Sequence, residues 1–326
     1  DYRFMTTGQY GGIGALIRKK DSLVVVAEPY EGFPAMKSGL LAGDQILEVN
    51  GQSTDGKSTG DISKVLKGQP KTDVKLKVKR FGVDKPFDVT VVREEIKIKS
   101  VPYSGMLTEE VGYVNLSSFT DNCSKDVHDA VVALKEKGMQ KLVLDLRGNP
   151  GGLLKEAVLL SNLFVPKGEM IVSTKGKVRE WNKEYKATQA PLDKNMPLVV
   201  LVNRGSASAS EIVSGVIQDL DRGVIIGQRT FGKGLVQTTR PLSYNSQLKV
   251  TTAKYYIPSG RCIQALDYTS RNADGSVGKV PDSLITKYTT KVGRTVFDGG
   301  GINPDVEVEP IQLSDIAFNL GLKMFY

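Results

Sequence analysis

The period of the hydrophobic positions changes several times along the chain, and each change marks an element. "DVKLKVKRFG" (73–82) and "PFDVTVVRE" (86–94) alternate apolar and polar residues with period two, the pattern of half-buried strands that pair as a hairpin. "SLVVVAEPY" (22–30), "KLVLDLR" (141–147) and "PLVVLVN" (197–203) are continuous apolar runs with the length of buried strands. "DISKVLKG" (61–68) instead carries Ile62, Val65 and Leu66 at helical spacing, with Asp61 as the expected N-cap and Gly68 as the stop. The dipeptide Asn50-Gly51 closes the strand "QILEVNG" with a tight turn.

These elements fall into two units. Residues 10–98 hold the strands "GGIGALIRKK" and "SLVVVAEPY", a short helix at "AMKSG", the helix at 61–68 and the late hairpin, and so form a mostly-β unit. In residues 99–326, strands alternate with helices: "VGYVNLSSF", a helix around His128, "KLVLDLR", "LLKEAVLLSNLFV", "PLVVLVN", "SASEIVSGVIQDL" and "GVIIGQ". That alternation implies a parallel or mixed α/β core. "LVQTTRPL", "LKVTTAKYYIP" and "RCIQ" return to strand character, and "SDIAFNLGLKMFY" opens a further helix. Residues 1–9 read as the remnant of an N-terminal region. The chain begins with Asp rather than Met, so it reads as an excised or processed piece whose native ends could carry a targeting segment.

Composition narrows the chemistry. With 40% hydrophobic and 25% charged residues the chain is an ordinary globular one. Its net charge of +8 is spread over solvated faces rather than gathered into a patch, so no nucleic-acid partner is expected. No apolar run approaches the ~20 residues that span a bilayer. Cys123 and Cys262 stand far apart and outside any metal-ligand spacing, leaving their pairing open. The single histidine, His128, sits among polar neighbours on a helix whose apolar side is Val127, Val131 and Leu134. A mechanism that needs histidine as base is therefore not expected, and a hydrolase here must use Lys, a carboxylate or a metal. No His/Cys/Asp cluster suggests a metal, and no cofactor is expected.

Three segments carry candidate chemistry. In "LVNRGSASASEIVSG" a buried strand turns into a helix, and Ser206, Ser208 and Ser210 compete for an exposed position near the helix amides. The GxSxG pattern is absent, and capping and packing could account for all three serines. In "GQRTFGKGLVQTT", Lys233 stands between Gly232 and Gly234. Its reference pKa of ~10.4 must fall to roughly 7–8 for the amine to serve as a base; the plain alternative is an exposed loop lysine. "LDLRGNPGG" is a second strand-to-helix turn whose backbone N–H groups suit an oxyanion. It has neither GxxxxGK[ST] nor GxGxxG, so a nucleotide site is not expected.

Two resemblances follow from these motifs. "GIGA" (Gly12, Ile13, Gly14, Ala15) followed by "SGLLAGDQILEVNG" resembles a PDZ domain. Its glycine-rich loop implies a site for a terminal carboxylate, and its next strand an edge for peptide addition. Ile13, Ala15, Ile62, Val65 and Leu66 would line the groove. "LDLRGNPGG", "GSASASEI" and "TFGKGLVQ", in that order behind a PDZ-like unit, resemble the carboxyl-terminal processing peptidases, also called tail-specific proteases. The resemblance implies an α/β, crotonase-like βαβ protease core with a mostly-β PDZ-like domain, acting on protein or peptide substrates through their C-terminal tails. It implies Ser208 as nucleophile, Lys233 as general base, and Gln237 as the residue that orients the lysine. It further implies an oxyanion hole from Ala209 and the "NPGG" turn, with Gly151 and Gly152 as candidates and Gly152 preferred. Glu211 and Asp219 match acidic positions of the family and are expected to be structural. An exported, periplasmic or envelope location is implied too. Assembly into a homo-oligomer through the terminal regions is a further expectation, left open because those regions are short here. Two other classes compete: a PDZ-type peptide receptor on an inactive scaffold, and an acyl-CoA enzyme of the crotonase-like fold. Ser208, Lys233 and Gln237 at the family spacing speak against the first, and the PDZ-like unit against the second.

Overall fold

A computed structural model describes residues 8–244, 246–310, 314 and 316. The chain divides after Ile98. Most of the expected N-terminal remnant (1–9) and most of the expected C-terminal helix lie outside the described residues.

The N-terminal unit is built on one antiparallel sheet. Its strands are β1 (Gln9–Gly12), β2 (Ala15–Lys20), β3 (Leu23–Pro29), β4 (Gln45–Val49), β5 (Gln52–Ser53), β6 (Asp73–Lys79), β7 (Phe87–Val92) and β8 (Glu94–Lys97). The main sheet runs β2-β3-β4-β6-β7, with β5 on β4, while β1 and β8 pair separately. In β6, Val74, Leu76 and Val78 are buried and the intervening lysines face out, as period two requires. Asn50 and Gly51 both take positive φ and join β4 to β5. Helix α1 is Pro34–Lys37 and α2 is Thr59–Leu66. The N-cap of α2 is Ser58, not Asp61. Ser58 Oγ accepts from Asp61 N at 3.1 Å and donates to the Asp61 carboxylate at 2.6 Å, so the acid serves three positions into the helix. Nor does Gly68 end the helix through a left-handed turn. Arg93 donates to the carbonyls of Val65 and Leu66 instead, satisfying the last turn from outside the helix.

The second unit has a mixed sheet of β9 (Tyr103–Met106), β10 (Val111–Asn115), β11 (Lys141–Asp145), β14 (Leu198–Val202), β15 (Val224–Gly227) and β22 (Val306–Glu307). Its order is β22-β15-β14-β11-β10-β9, parallel throughout except β9 on β10. A second sheet runs β13-β12-β17-β16, from β12 (Met170–Gly176), β13 (Lys183–Lys186), β16 (Leu235–Pro241) and β17 (Gln247–Tyr256). Two small hairpins complete the strands: β18 (Leu266–Arg271) with β19 (Val277–Lys279), and β20 (Lys287–Thr289) with β21 (Thr295–Phe297). The main helices are α3 (Cys123–Glu136), α4 (Leu154–Asn162) and α5 (Ala209–Asp219). Val114, Leu144, Val200, Val213, Phe164 and Ile257 belong to one continuous buried core. His128 lies half out of α3 beside Asp129.

"RCIQ" is not a strand. Arg261 is buried and ion-paired to Asp219 at 2.8 Å, and the amides of Gly299 and Gly301 donate to the carbonyls of Cys262 and Ile263. The backbone is spent on irregular crossings there, so no ladder forms. Both cysteines are free.

Candidate active site

Parallel neighbours point their C-terminal ends the same way, and in open α/β sheets the crevice beyond those ends holds the ligand. Here β15, β14 and β11 are adjacent, so the three turns that follow them lie side by side. The middle turn carries the serines, the one after β11 carries "GNPGG", and the one after β15 carries Lys233.

The three serines differ in their partners. Ser206 and Ser210 are fully buried: Ser206 Oγ donates to Leu146 O at 2.8 Å, and Ser210 Oγ to Asn149 O at 2.9 Å. Both sew the middle turn to the turn after β11, helped by Ala207 N on Asn149 O at 3.0 Å and Gly148 N on the Asn203 side chain at 2.8 Å. Ser208 alone is half exposed, at φ 55° and ψ −111°. A serine held at positive φ at the start of a helix has the strained strand-to-helix geometry that presents a hydroxyl.

Space for that kink comes from another turn. Gly151 lies so close that a Cβ there would stand 2.5 Å from Ala207 O and 2.8 Å from both Ala209 N and Ser208 Cβ. Its own φ is +91° and its amide donates to Asn149 Oδ1 at 2.9 Å. Gly152 faces Phe119, and a Cβ there would strike Phe119 O at 2.3 Å. Among the described residues the amides of Ala209 and Gly152 donate to no acceptor.

Glu211 ties the middle turn to the third. Its carboxylate, fully buried, accepts Ser208 N and Lys233 N on Oε2, each at 2.8 Å, and Gly232 N (2.7 Å) and Thr230 Oγ1 (2.5 Å) on Oε1. Burial pushes this carboxyl up, and the four donors pull it back. Tyr255, from β17, adds a second clamp: its hydroxyl is shared between Ser208 O at 3.1 Å and Lys233 O. Burial holds that phenol far above its ordinary range. Neither role is visible in the sequence around Ser208, although Glu211 stands where a capping-box acid would.

Lys233 is half-buried between two glycines that need their small size. Cβ atoms at Gly232 and Gly234 would lie 2.3 Å from Ala265 Cβ and 2.8 Å from Gln264 N. Burial lowers the Lys233 ammonium pKa and the like charge of Lys249 lowers it further, against the pull of Glu211. Among the described residues its ammonium forms no ion pair. Gln237 lies in β16 opposite Thr251, exposed, beside a register shift, with no hydrogen bond to Lys233. Asp219 is part of the buried pair with Arg261 at the far end of α5.

In the N-terminal unit, Ile13, Ile62 and Leu66 are core residues, Ala15 is half-buried and Val65 is exposed. Ile13 O and Gly14 O accept from Ala35 N and Tyr30 N, whereas among the described residues the amides of Ile13 and Gly14 find no acceptor. Gly12 and Gly14 sit under the Tyr10 ring and Phe33, where a side chain would collide. Among the described residues there is no group of three or more His, Cys, Asp or Glu that could hold a metal, and no helix long and apolar enough to cross a membrane.

Residues 110–308 match the family described as Peptidase family S41, and residues 25–80 match the PDZ domain. A carboxy-terminal-processing protease of Bartonella bacilliformis is 41% identical over 273 residues, covering 82% of this chain and 62% of that protein. A probable CtpA-like serine protease of Staphylococcus aureus is 40% identical over 262 residues, covering 79% of this chain and 51% of that protein. The chain thus spans half to three fifths of the curated relatives it matches. The solved photosystem II D1 C-terminal processing protease superposes with TM-score 0.52 and 30% identity, over 94% of this chain and 77% of that one.

Proposed function

The chain belongs to peptidase family S41, with a PDZ domain ahead of its peptidase core, and on that premise we propose that it is a serine endopeptidase selecting protein substrates by their C-terminal tails. Ser208 is the nucleophile and Lys233 the general base. The observation that carries this reading is the Glu211 carboxylate, which holds the backbones of both residues through one oxygen while the strained turn leaves the Ser208 side chain half exposed.

Lys233, as the neutral amine, takes the Ser208 proton as Oγ attacks the scissile carbonyl. The amides of Ala209 and Gly152 receive the oxyanion, with the N-terminal end of α5 adding its positive dipole. The amine of the departing fragment leaves with the proton from Lys233, and water resolves the acyl-enzyme by the same route. Gln237 orients the lysine once substrate orders its side chain. In the PDZ domain the free amides of Ile13 and Gly14 take the terminal carboxylate, and the tail adds to β2, which lies at the edge of its sheet. The domain either recruits or gates. An exported, envelope-associated location fits the family resemblance.

The test is cleavage of an unfolded model protein, with and without its tail, by the wild type and by Ser208→Ala and Lys233→Ala. Loss in both variants, together with tail dependence, is the expected result. Undiminished cleavage by Ser208→Ala sinks the mechanism.

A further inference from the structure

A cavity of about 490 Å³ opens beside β16 and β17, lined among others by Leu235, Gln237, Cys262, Gln264, Leu266 and Val280. We infer that this cavity is a substrate subsite, which encloses a short stretch of substrate chain next to the scissile bond and seats an apolar side chain against Leu235, Leu266 and Val280. The inference rests on the Ser208–Lys233 reading and names where that site grips its substrate.

β16 begins at Leu235, two residues after Lys233, and Gln264 in the cavity wall accepts Gly234 N at 2.8 Å, so the cavity wall is tied to the residue that follows the base. A void of roughly 150 Å³ holds a benzene ring, and ligand sites run roughly 300–1,000 Å³, so this volume takes more than one side chain. Leu235, Leu266 and Val280 supply aliphatic lining beside the charged Lys254, Asp267 and Asp298. The Gln237 amide has no hydrogen-bond partner among the described residues, so its NH₂ can donate to a substrate carbonyl while its oxygen stays available to Lys233, whereas both ends of the Gln264 amide are already engaged. β16 is the last strand of its sheet, so an extended chain can pair along its outer edge and run toward Lys233.

Cys262 makes the test direct, because it is a free cysteine lining the cavity while Cys123 is fully buried. Cleavage sites of an unfolded protein cut by the wild type are mapped by mass spectrometry. Peptides spanning one site are made, each with a single cysteine at a successive position, activated as the mixed disulfide with thionitrobenzoate. In the Ser208→Ala variant the Cys262 thiolate attacks the peptide sulfur, forming the protein–peptide disulfide and expelling thionitrobenzoate. Coupling is expected at one or two neighbouring positions within about three residues of the scissile bond, roughly tenfold or more faster than elsewhere. It should be blocked by excess cysteine-free peptide and be absent in Ser208→Ala/Cys262→Ser. Equal, uncompeted coupling at every position overturns the subsite while leaving Ser208-dependent cleavage standing. A wild type that cuts nothing overturns both.

Discussion

Removing Glu211 tests whether one carboxylate assembles the site. In Glu211→Ala three buried or half-buried amides, those of Ser208, Gly232 and Lys233, lose their acceptor, as does the Thr230 hydroxyl, which unlike the amides can rotate. An orphaned buried donor costs about 1–3 kcal/mol, so three cost about 3–9 kcal/mol, comparable with the roughly 5–15 kcal/mol that holds a domain folded. Glu211→Gln is milder. With its amide oxygen kept toward Ser208 and Lys233, the NH₂ group meets Thr230, which can accept, and Gly232 N, which cannot. One orphan costs about 1–3 kcal/mol. At roughly 2–4 °C per kcal/mol for a unit of this size, thermal melting followed by circular dichroism should fall by about 2–12 °C in Glu211→Gln. Glu211→Ala should melt far lower or fail to fold. On the proposed mechanism, cleavage should survive in part in the glutamine variant, since Ser208 N and Lys233 N keep their acceptor. An alanine variant that melts within about 2 °C of wild type, less than one orphan would cost, would refute the reasoning.

Gly151→Ala should abolish cleavage, a loss of roughly a hundredfold or more, because the new methyl lies on the Ala209 amide and a left-handed residue adds about 1–2 kcal/mol of strain; active-site kinetics with a melting curve would separate the two effects. The rate should rise with pH as Lys233 loses its proton, with an inflection below the ordinary lysine value, because its pKa is lowered by burial and by Lys249. Lys249→Gln should move that inflection to higher pH, and a pH–rate profile unmoved by the substitution would count against Lys233 as base. Arg261→Met, which leaves Asp219 buried without its cation, should cost about 3–5 kcal/mol and lower the melting temperature accordingly. A tail peptide should lose most of its affinity for the protein when its carboxylate is amidated, measured by fluorescence anisotropy; equal binding would remove the free amides of Ile13 and Gly14 from tail recognition.

Much of the architecture is legible because it rests on local rules. Period two in 73–79 becomes β6, Asn50-Gly51 becomes the β4–β5 turn, and the apolar runs 141–145 and 198–202 become adjacent parallel strands. Asp61 misleads because the cap of α2 comes earlier, at Ser58. Gly68 misleads because the last carbonyls of that helix are served by Arg93, which lies 27 residues beyond Leu66, a long-range contact that no local pattern encodes. "RCIQ" misleads because its residues are held by an ion pair and irregular crossings instead of a ladder.

The chemistry divides in the same way. Residue types and order along the chain single out "GSASAS", "GNPGG" and "GKG" as turns able to present a hydroxyl, amides and an amine. Local rules alone leave three serines in contention and count the missing GxSxG pattern against a strained elbow. Tertiary structure leaves Ser208 alone of the three half exposed, on a strained turn that forms without that pattern. Ser206 and Ser210 are consumed by carbonyls of the turn after β11, and the room that a neighbouring glycine would make for Ser208 is made by Gly151, from a turn much earlier in the chain. Only the parallel order β15-β14-β11 brings these turns side by side, and only burial turns Glu211 from a helix-capping acid into the group that holds Ser208 and Lys233 together.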